Sequence, residues 1–200
     1  EVSSVGESMK LKARIGWQGM KASEFIDDGA YVVTGTDFYR GKIKWDTCYH
    51  VDMWRYKQDI NIQLKNNDLL VTKDGSIGKV AIVEECPDLV TLNSGVFVLR
   101  PKNDLVDTKF LYYILHTELF LNFIKNVLTG STIKHLNQER FICFTFRIPE
   151  KKEQQKIIDR LESIDMKITN EENYLCKTML KKQALMQDLL TNKVSVDCLL

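Results

Sequence analysis

Two hundred residues suit one domain of about 150 residues plus an appendage, and 44% apolar residues with 10% aromatics exclude a disordered chain. A net charge of +1, from 28 Lys+Arg against 27 Asp+Glu, excludes the basic excess of a stand-alone nucleic-acid binder. Any nucleic-acid role therefore needs local patches, or a partner that supplies phosphate contacts.

The chain begins EVSSVGESMK without an initiator Met, which suggests a trimmed or excised piece. Along residues 11–38, Ser23 suits the N-cap of a short helical turn, Gly29 ends it, and AYVVTGT reads as a strand. GKIKWDTCYHV (41–51) alternates enough for a second strand, and MWRYKQDINIQLKNND (53–68) for a short helix leading into a loop. Asn67 and Asp68 mark a turn before a hairpin signal, DLLVTK, DGSIG, KVAIVEE. Asn93-Ser94-Gly95 then interrupts two β-rich runs in LVTLNSGVFVLRP. Asp107 suits the cap of a helix predicted over 108–128, and FICFTFRI (141–148) reads as a last strand before Pro149. The longest apolar runs, such as VAIV and GVFVL, have strand length and cannot span a bilayer, and no secretory signal opens the chain.

From Pro149 to Leu190 there is no further Gly or Pro, and Lys, Glu, Gln, Leu and Met dominate, all good helix formers. Ile157, Ile168, Met179 and Leu190 recur every eleven residues, and Ile164, Leu175 and Met186 form a second row. Eleven residues in three turns keeps such a stripe nearly straight. At 1.5 Å per residue the helix spans roughly 60 Å, longer than its domain, so its apolar stripe demands a partner. The expected organisation is α+β: a mixed-sheet domain at 1–148, a coiled-coil-type helix at 149–192 and a tail at 193–200.

Five scattered cysteines (Cys48, Cys86, Cys143, Cys176, Cys198) with no C-x-x-C pair argue for a reducing cytoplasm and against a disulfide framework. His50, His116 and His135 lack metal-ligand spacing, and no metal site is expected. Three loops carry chemistry suited to DNA. In TKDGSIGK (72–79), two glycines allow a tight turn with exposed N–H groups, flanked by Lys73 and Lys79, with Ser76 between. It is not a P-loop, because Val80 stands where a Ser or Thr would hold magnesium. TGSTIKHL (129–136) offers Ser131, Thr132, Lys134 and His135, although a polar loop with a capping Gly130 explains it locally. RIGWQGMK (14–21) interleaves Arg14, Gln18 and Lys21 with Trp17; Arg and Gln can each read a base edge, and a buried Trp between two turns explains it equally well. For catalysis, Asp88, Asp107 and Lys109 match the loose PD…(D/E)xK pattern of magnesium-dependent nucleases, but Asp107 is better explained as a cap.

Taken in order, these pieces resemble the specificity subunits of type I restriction–modification systems. RIGWQGMKASEF is similar to that family's GRIGWxGLxxxE(F/Y), and NDLLVTKDGSIGKVAIV to its GD(I/L)LxxxxGSIGKxAIV, with Asn67 in place of the usual Gly. TLNSGVFVLRP, TGST and PEKKEQQKIIDRLESID…LMQDLLTNKVSV complete the match, the last with Asn192 replacing a common Gly. The resemblance implies a non-catalytic target recognition domain that reads one half of a split double-stranded DNA sequence, followed by a helix that sets the unread spacer. It implies adenine-methylating modification subunits and a restriction subunit as partners, with S-adenosylmethionine and ATP on those partners and no cofactor here. One recognition domain and one helix make half of a usual subunit. A homodimer is then expected through Ile157, Leu161, Ile164, Ile168, Leu175, Met179, Met186 and Leu190. The expected DNA-facing set is Arg14, Gln18, Lys21, Lys73, Ser76, Lys79, Ser131, Thr132, Lys134 and His135, with Arg14 and Gln18 reading bases and Lys73, Lys79 and Lys134 on phosphates. A nuclease, or a helical protein-interaction module without DNA contact, are the alternatives.

Overall fold

The apolar runs of the first hundred residues form strands buried on both faces, which is why they read as near-continuous rather than alternating. The computed structural model describes residues 1–16, 19–129, 135–191 and 193–195, and divides into two units, Glu1–Gln155 and Lys156–Leu200. In chain order come β1 (Val2–Ser4), α1 (Val5–Ser8), β2 (Met9–Ala13), β3 (Phe25–Ile26), β4 (Ala30–Val33), β5 (Phe38–Tyr39), β6 (Lys42–Ile43) and β7 (Tyr49–Val51). Then follow α2 (Met53–Lys57), β8 (Leu69–Thr72), β9 (Val80–Ile82), β10 (Val90–Leu92), β11 (Val96–Pro101), α3 (Thr108–Ile114), α4 (Glu118–Thr129), α5 (Gln138–Phe141), β12 (Thr145–Arg147) and α6 (Lys151–Leu190). The class is α+β with mixed sheets and a long C-terminal helix, as the sequence implies.

Two four-stranded sheets carry the first unit. One, ordered β10-β4-β7-β3, is parallel at β10–β4 and antiparallel elsewhere. The other, ordered β2-β11-β8-β9, is antiparallel throughout. Asn93–Gly95 is the crossing from the first sheet to the second. One apolar cluster joins Val33 and Leu92 of the first sheet to Leu70, Ala81, Val96 and Val98 of the second. Because strand side chains alternate, Phe97 points to the opposite face of β11. There it meets Phe141 at 5.9 Å between ring centroids, and Phe120 and Phe144 continue the aromatic layer.

Four elements depart from the sequence expectation, the first being the turn expected to be capped by Ser23: it is a 3-10 turn over Ala22–Glu24 that holds Ser23 inside it and has Lys21 at the cap position. The strand over 41–51 is interrupted by a 3-10 turn at Trp45–Thr47. Asp37 holds that turn by accepting from Thr47 Oγ1 at 3.2 Å and from the Lys44 N–H through its carbonyl. The helix over 108–128 is two helices, α3 and α4, because Thr117 Oγ1 donates to the Ile114 carbonyl (2.7 Å) at the break. The strand over 141–148 shrinks to β12, since α5 and the turn after it occupy residues 138–144.

α6 runs without interruption for 40 residues, and its first turn belongs to the first unit. Gln154, buried, donates to the Leu105 carbonyl (2.7 Å) and the Pro149 carbonyl (3.0 Å) and accepts from Asp107 N–H (2.9 Å). In the second unit Leu161, Ile164, Ile168, Leu175, Met179, Met186 and Leu190 are exposed, from 36% at Leu161 to 77% at Leu190. Among the described residues no helix is long and apolar enough to cross a membrane.

Candidate nucleic-acid interface

The β8–β9 hairpin is built on two left-handed glycines, Gly75 (φ 67°) and Gly78 (φ 83°). Gly78 N–H donates to the Thr72 carbonyl and Thr72 N–H to the Lys79 carbonyl, both at 2.9 Å, so two residues oppose one in a glycine-led β-bulge. The preceding turn needs the same conformation at Asn67 (φ 68°), one of the few non-glycine types that tolerate it. Asn67 can therefore stand where a glycine is usual.

Loops far apart in sequence meet around this hairpin. Lys73 N–H donates to the Gly95 carbonyl (2.8 Å), and Leu136 N–H to the Lys73 carbonyl (2.9 Å). Asn93 N–H donates to the Val33 carbonyl (3.0 Å), which brings up the Thr34–Asp37 turn. A Cβ on Gly35 would stand 2.9 Å from Thr72 Cγ2, and one on Gly19 3.4 Å from Ser94 Oγ. Residues 19, 34–37, 72–79, 93–95 and 135–136 thus share one edge.

Lys21, Ser76 and Lys79 are exposed, and His135 is half-buried. Lys73 is less available than expected. Its ammonium lies 3.3 Å from Asp74 Oδ2 and 5.9 Å from the Phe97 ring centroid. Gln18, Ser131, Thr132 and Lys134 lie outside the described residues.

Arg14 corrects the expectation outright. It is 2% exposed, and its Nε donates to the Leu92 carbonyl (2.8 Å), Nη1 to Gln58 Oε1 (2.9 Å) and Nη2 to Thr91 Oγ1 (3.0 Å). A guanidinium tied up in this way cannot also read a base, so Arg14 is an internal anchor. Burial and the neighbouring Arg55 both hold its pKa below the ordinary value. Arg55 in turn donates through Nε to Glu24 Oε1 (2.7 Å), and Glu24 Oε2 accepts from Lys21 N–H (2.8 Å). That backbone bond first, and Arg55 second, hold the Glu24 carboxyl below its usual range. Arg14 and Glu24 therefore fix both ends of the 14–24 segment to α2, a role that residue type alone did not reveal. Sequence reasoning also missed Thr34, Thr36 and Ser94; the T-G-T-D spacing of hydroxyls around a glycine was the available signal.

The nuclease alternative finds no built site. Asp107 Oδ1 accepts from Lys109 N–H at 2.8 Å as the cap of α3. Among the described residues no group of three or more His, Cys, Asp or Glu could hold a metal ion. Two of the thiols, Cys48 and Cys86, are poor nucleophiles: desolvation first, and nearby Asp37 second, push Cys48 up to about 12, and desolvation pushes Cys86 up to about 11.

Residues 13–176 match the family described as "Type I restriction modification DNA specificity domain". Similar curated proteins include the type I restriction enzyme MjaVIII specificity subunit of Methanocaldococcus jannaschii, 26% identical over 98% of this chain and 48% of the relative. The MjaIX specificity subunit of the same organism is 31% identical over 51% of this chain and 23% of the relative. The chain thus spans about half the length, or less, of these relatives. Similar folds occur in a chain from a study of complex assembly and conformational transition of the type I R-M system, at TM-score 0.65 and 18% identity, over 94% of this chain and 43% of that one. The HsdS subunit from Thermoanaerobacter tengcongensis follows at TM-score 0.62 and 17% identity, over 96% and 44%.

Proposed function

Because this chain belongs to the type I restriction modification DNA specificity domain family, a non-catalytic recognition component, we propose that its loop edge reads one half of a split DNA sequence. The observation that carries this reading is the convergence of residues 19, 34–37, 72–79, 93–95 and 135–136 on one edge of the domain. Loops on a rigid scaffold are where base-reading groups reach a groove. Lys79 contacts phosphate there, Lys21 is a further phosphate candidate, and Ser76, Thr36 and Ser94 offer hydroxyls to base edges. Lys73 and Lys134 remain phosphate candidates, Gln18 a base reader, and Ser131, Thr132 and His135 further DNA-facing candidates.

In this reading the chemistry belongs to partners. Modification subunits methylate adenine with S-adenosylmethionine, a restriction subunit uses ATP, and the present chain holds no cofactor. The net charge of +1 supports a module that leans on such partners for phosphate contacts. A second copy of the chain pairs along α6 through Ile157, Leu161, Ile164, Ile168, Leu175, Met179, Met186 and Leu190. The dimer reads an inverted-repeat bipartite site in the cytoplasm.

Mapping methylated adenines in a host that carries the modification subunits, with and without this chain, tests the proposal. A new bipartite motif appearing only with the chain is the expected result. Unchanged methylation would leave a protein-interaction module instead.

A further inference from the structure

Thr72 ends β8 with a side chain that is fully buried, yet its hydroxyl is used twice. Oγ1 donates to the Ser76 carbonyl at 2.5 Å and accepts from Lys79 N–H at 2.9 Å. Ser76 and Lys79 bracket the second half of the 72–79 loop, so one buried oxygen ties across it. Its methyl Cγ2 faces the Thr34–Asp37 turn at Gly35, where an added Cβ would stand 2.9 Å away. The next residue continues the chain of contacts: Lys73 bonds Gly95 through its N–H and Leu136 through its carbonyl.

A loop with two left-handed glycines has wide conformational freedom, and a reading surface needs the opposite. We propose that Thr72 is a positioning residue for DNA reading, its hydroxyl setting Ser76 and Lys79 in one fixed relation to the neighbouring loops. Thr72 itself touches no DNA. The proposal rests on the DNA-reading role proposed above. Preorganisation of this kind acts on discrimination between sequences more than on attraction to phosphate.

The test uses the full chain in complex with its modification subunit and a pool of randomised duplexes. Affinity is then compared between the enriched sequence and a scrambled one. Thr72→Val keeps the methyl and removes the hydroxyl; Thr72→Ser does the reverse. The expected result is at least a tenfold drop in the enriched-to-scrambled ratio for Thr72→Val, with scrambled-duplex affinity unchanged, and a ratio retained in Thr72→Ser. A ratio retained in Thr72→Val, or lost equally in both variants, overturns the proposal. Hydrogen exchange on the wild-type chain decides the matter if Thr72→Val fails to fold. The Lys79 amide should exchange as slowly as the Ala81 amide of β9, which pairs with Leu70 of β8, and fast exchange at Lys79 overturns the latch. A wild-type complex that shows no preference at all would instead sink the DNA-reading proposal.

Discussion

In Glu1–Gln155 buried polar side chains are paired: among the described residues, no buried side-chain nitrogen or oxygen lacks a hydrogen-bond partner. In Lys156–Leu200 apolar side chains such as Ile168, Leu175, Met179 and Leu190 stand more than half exposed. The first unit satisfies its buried polar groups internally, and its exposed apolar side chains, such as Ile60 and Val2, do not repeat along one helix face. The second carries a continuous apolar stripe that water opposes, and under the proposed function this difference would separate a reading domain from a helix that a partner completes. Covering eight stripe residues, most already partly screened, is worth on the order of 10 kcal/mol per helix. Two helices then exceed an association cost of about 4–15 kcal/mol.

The sharpest way to break the comparison is to charge the stripe. Ile168→Asp combined with Met179→Asp should turn a dimer into a monomer in sedimentation at tens of micromolar, while the melting of Glu1–Gln155 stays the same. Next in size is the interior of the reading domain. Arg100 grips Asp68 through Nε–Oδ1 (2.7 Å) and Nη2–Oδ2 (2.6 Å), and Asp68 is 1% exposed. Asp68→Ala leaves Arg100 with only the Asn61 and Gln63 carbonyls as acceptors and should cost about 2–3 kcal/mol in urea unfolding, below the range for a fully buried pair because Arg100 keeps those bonds and is partly exposed. Self-association should be untouched.

A smaller effect concerns alkali. Burial first, with Asp37 second, raises the Cys48 thiol to about 12 from an ordinary value near 9. A raised folded-state pKa gives stability that is fully present below the unfolded value and lost as pH rises toward the folded one. Stability should therefore decline between about pH 9 and 12, and Cys48→Val should flatten that limb of the pH–melting curve. Exposed Cys143 and Cys176 should alkylate long before Cys48. The smallest effect is on DNA: Lys21→Glu and Lys79→Glu in the complex should each lower the slope of log affinity against log salt by roughly one. They should leave sequence preference unchanged.

Much of this was legible in the residues. The α6 stripe follows from spacing, and the β8–β9 hairpin from a glycine pair between apolar runs. Asp107 was readable as a cap because the cap motif is local. Arg14 was misassigned because its burial depends on Leu92, Thr91 and Gln58, positions far along the chain that no local pattern announces. The break between α3 and α4 was hidden for a related reason. Apolar spacing continues across it, while a single hydroxyl, Thr117, competes for the backbone. The Thr34–Asp37 turn and Ser94 joined the site only through the topology, since Asn93–Gly95 is where the chain changes sheets.

The central claim is that one unit reads while the other measures. Removing eleven residues from the middle of α6 keeps the stripe in register and shortens the helix by about 16 Å. Methylated sites mapped with the shortened chain should show the same two half-sites with a spacer shorter by about five base pairs, at roughly 3.4 Å per pair. Identical half-sites at an unchanged spacer would contradict the account and leave α6 as a dimerisation arm alone.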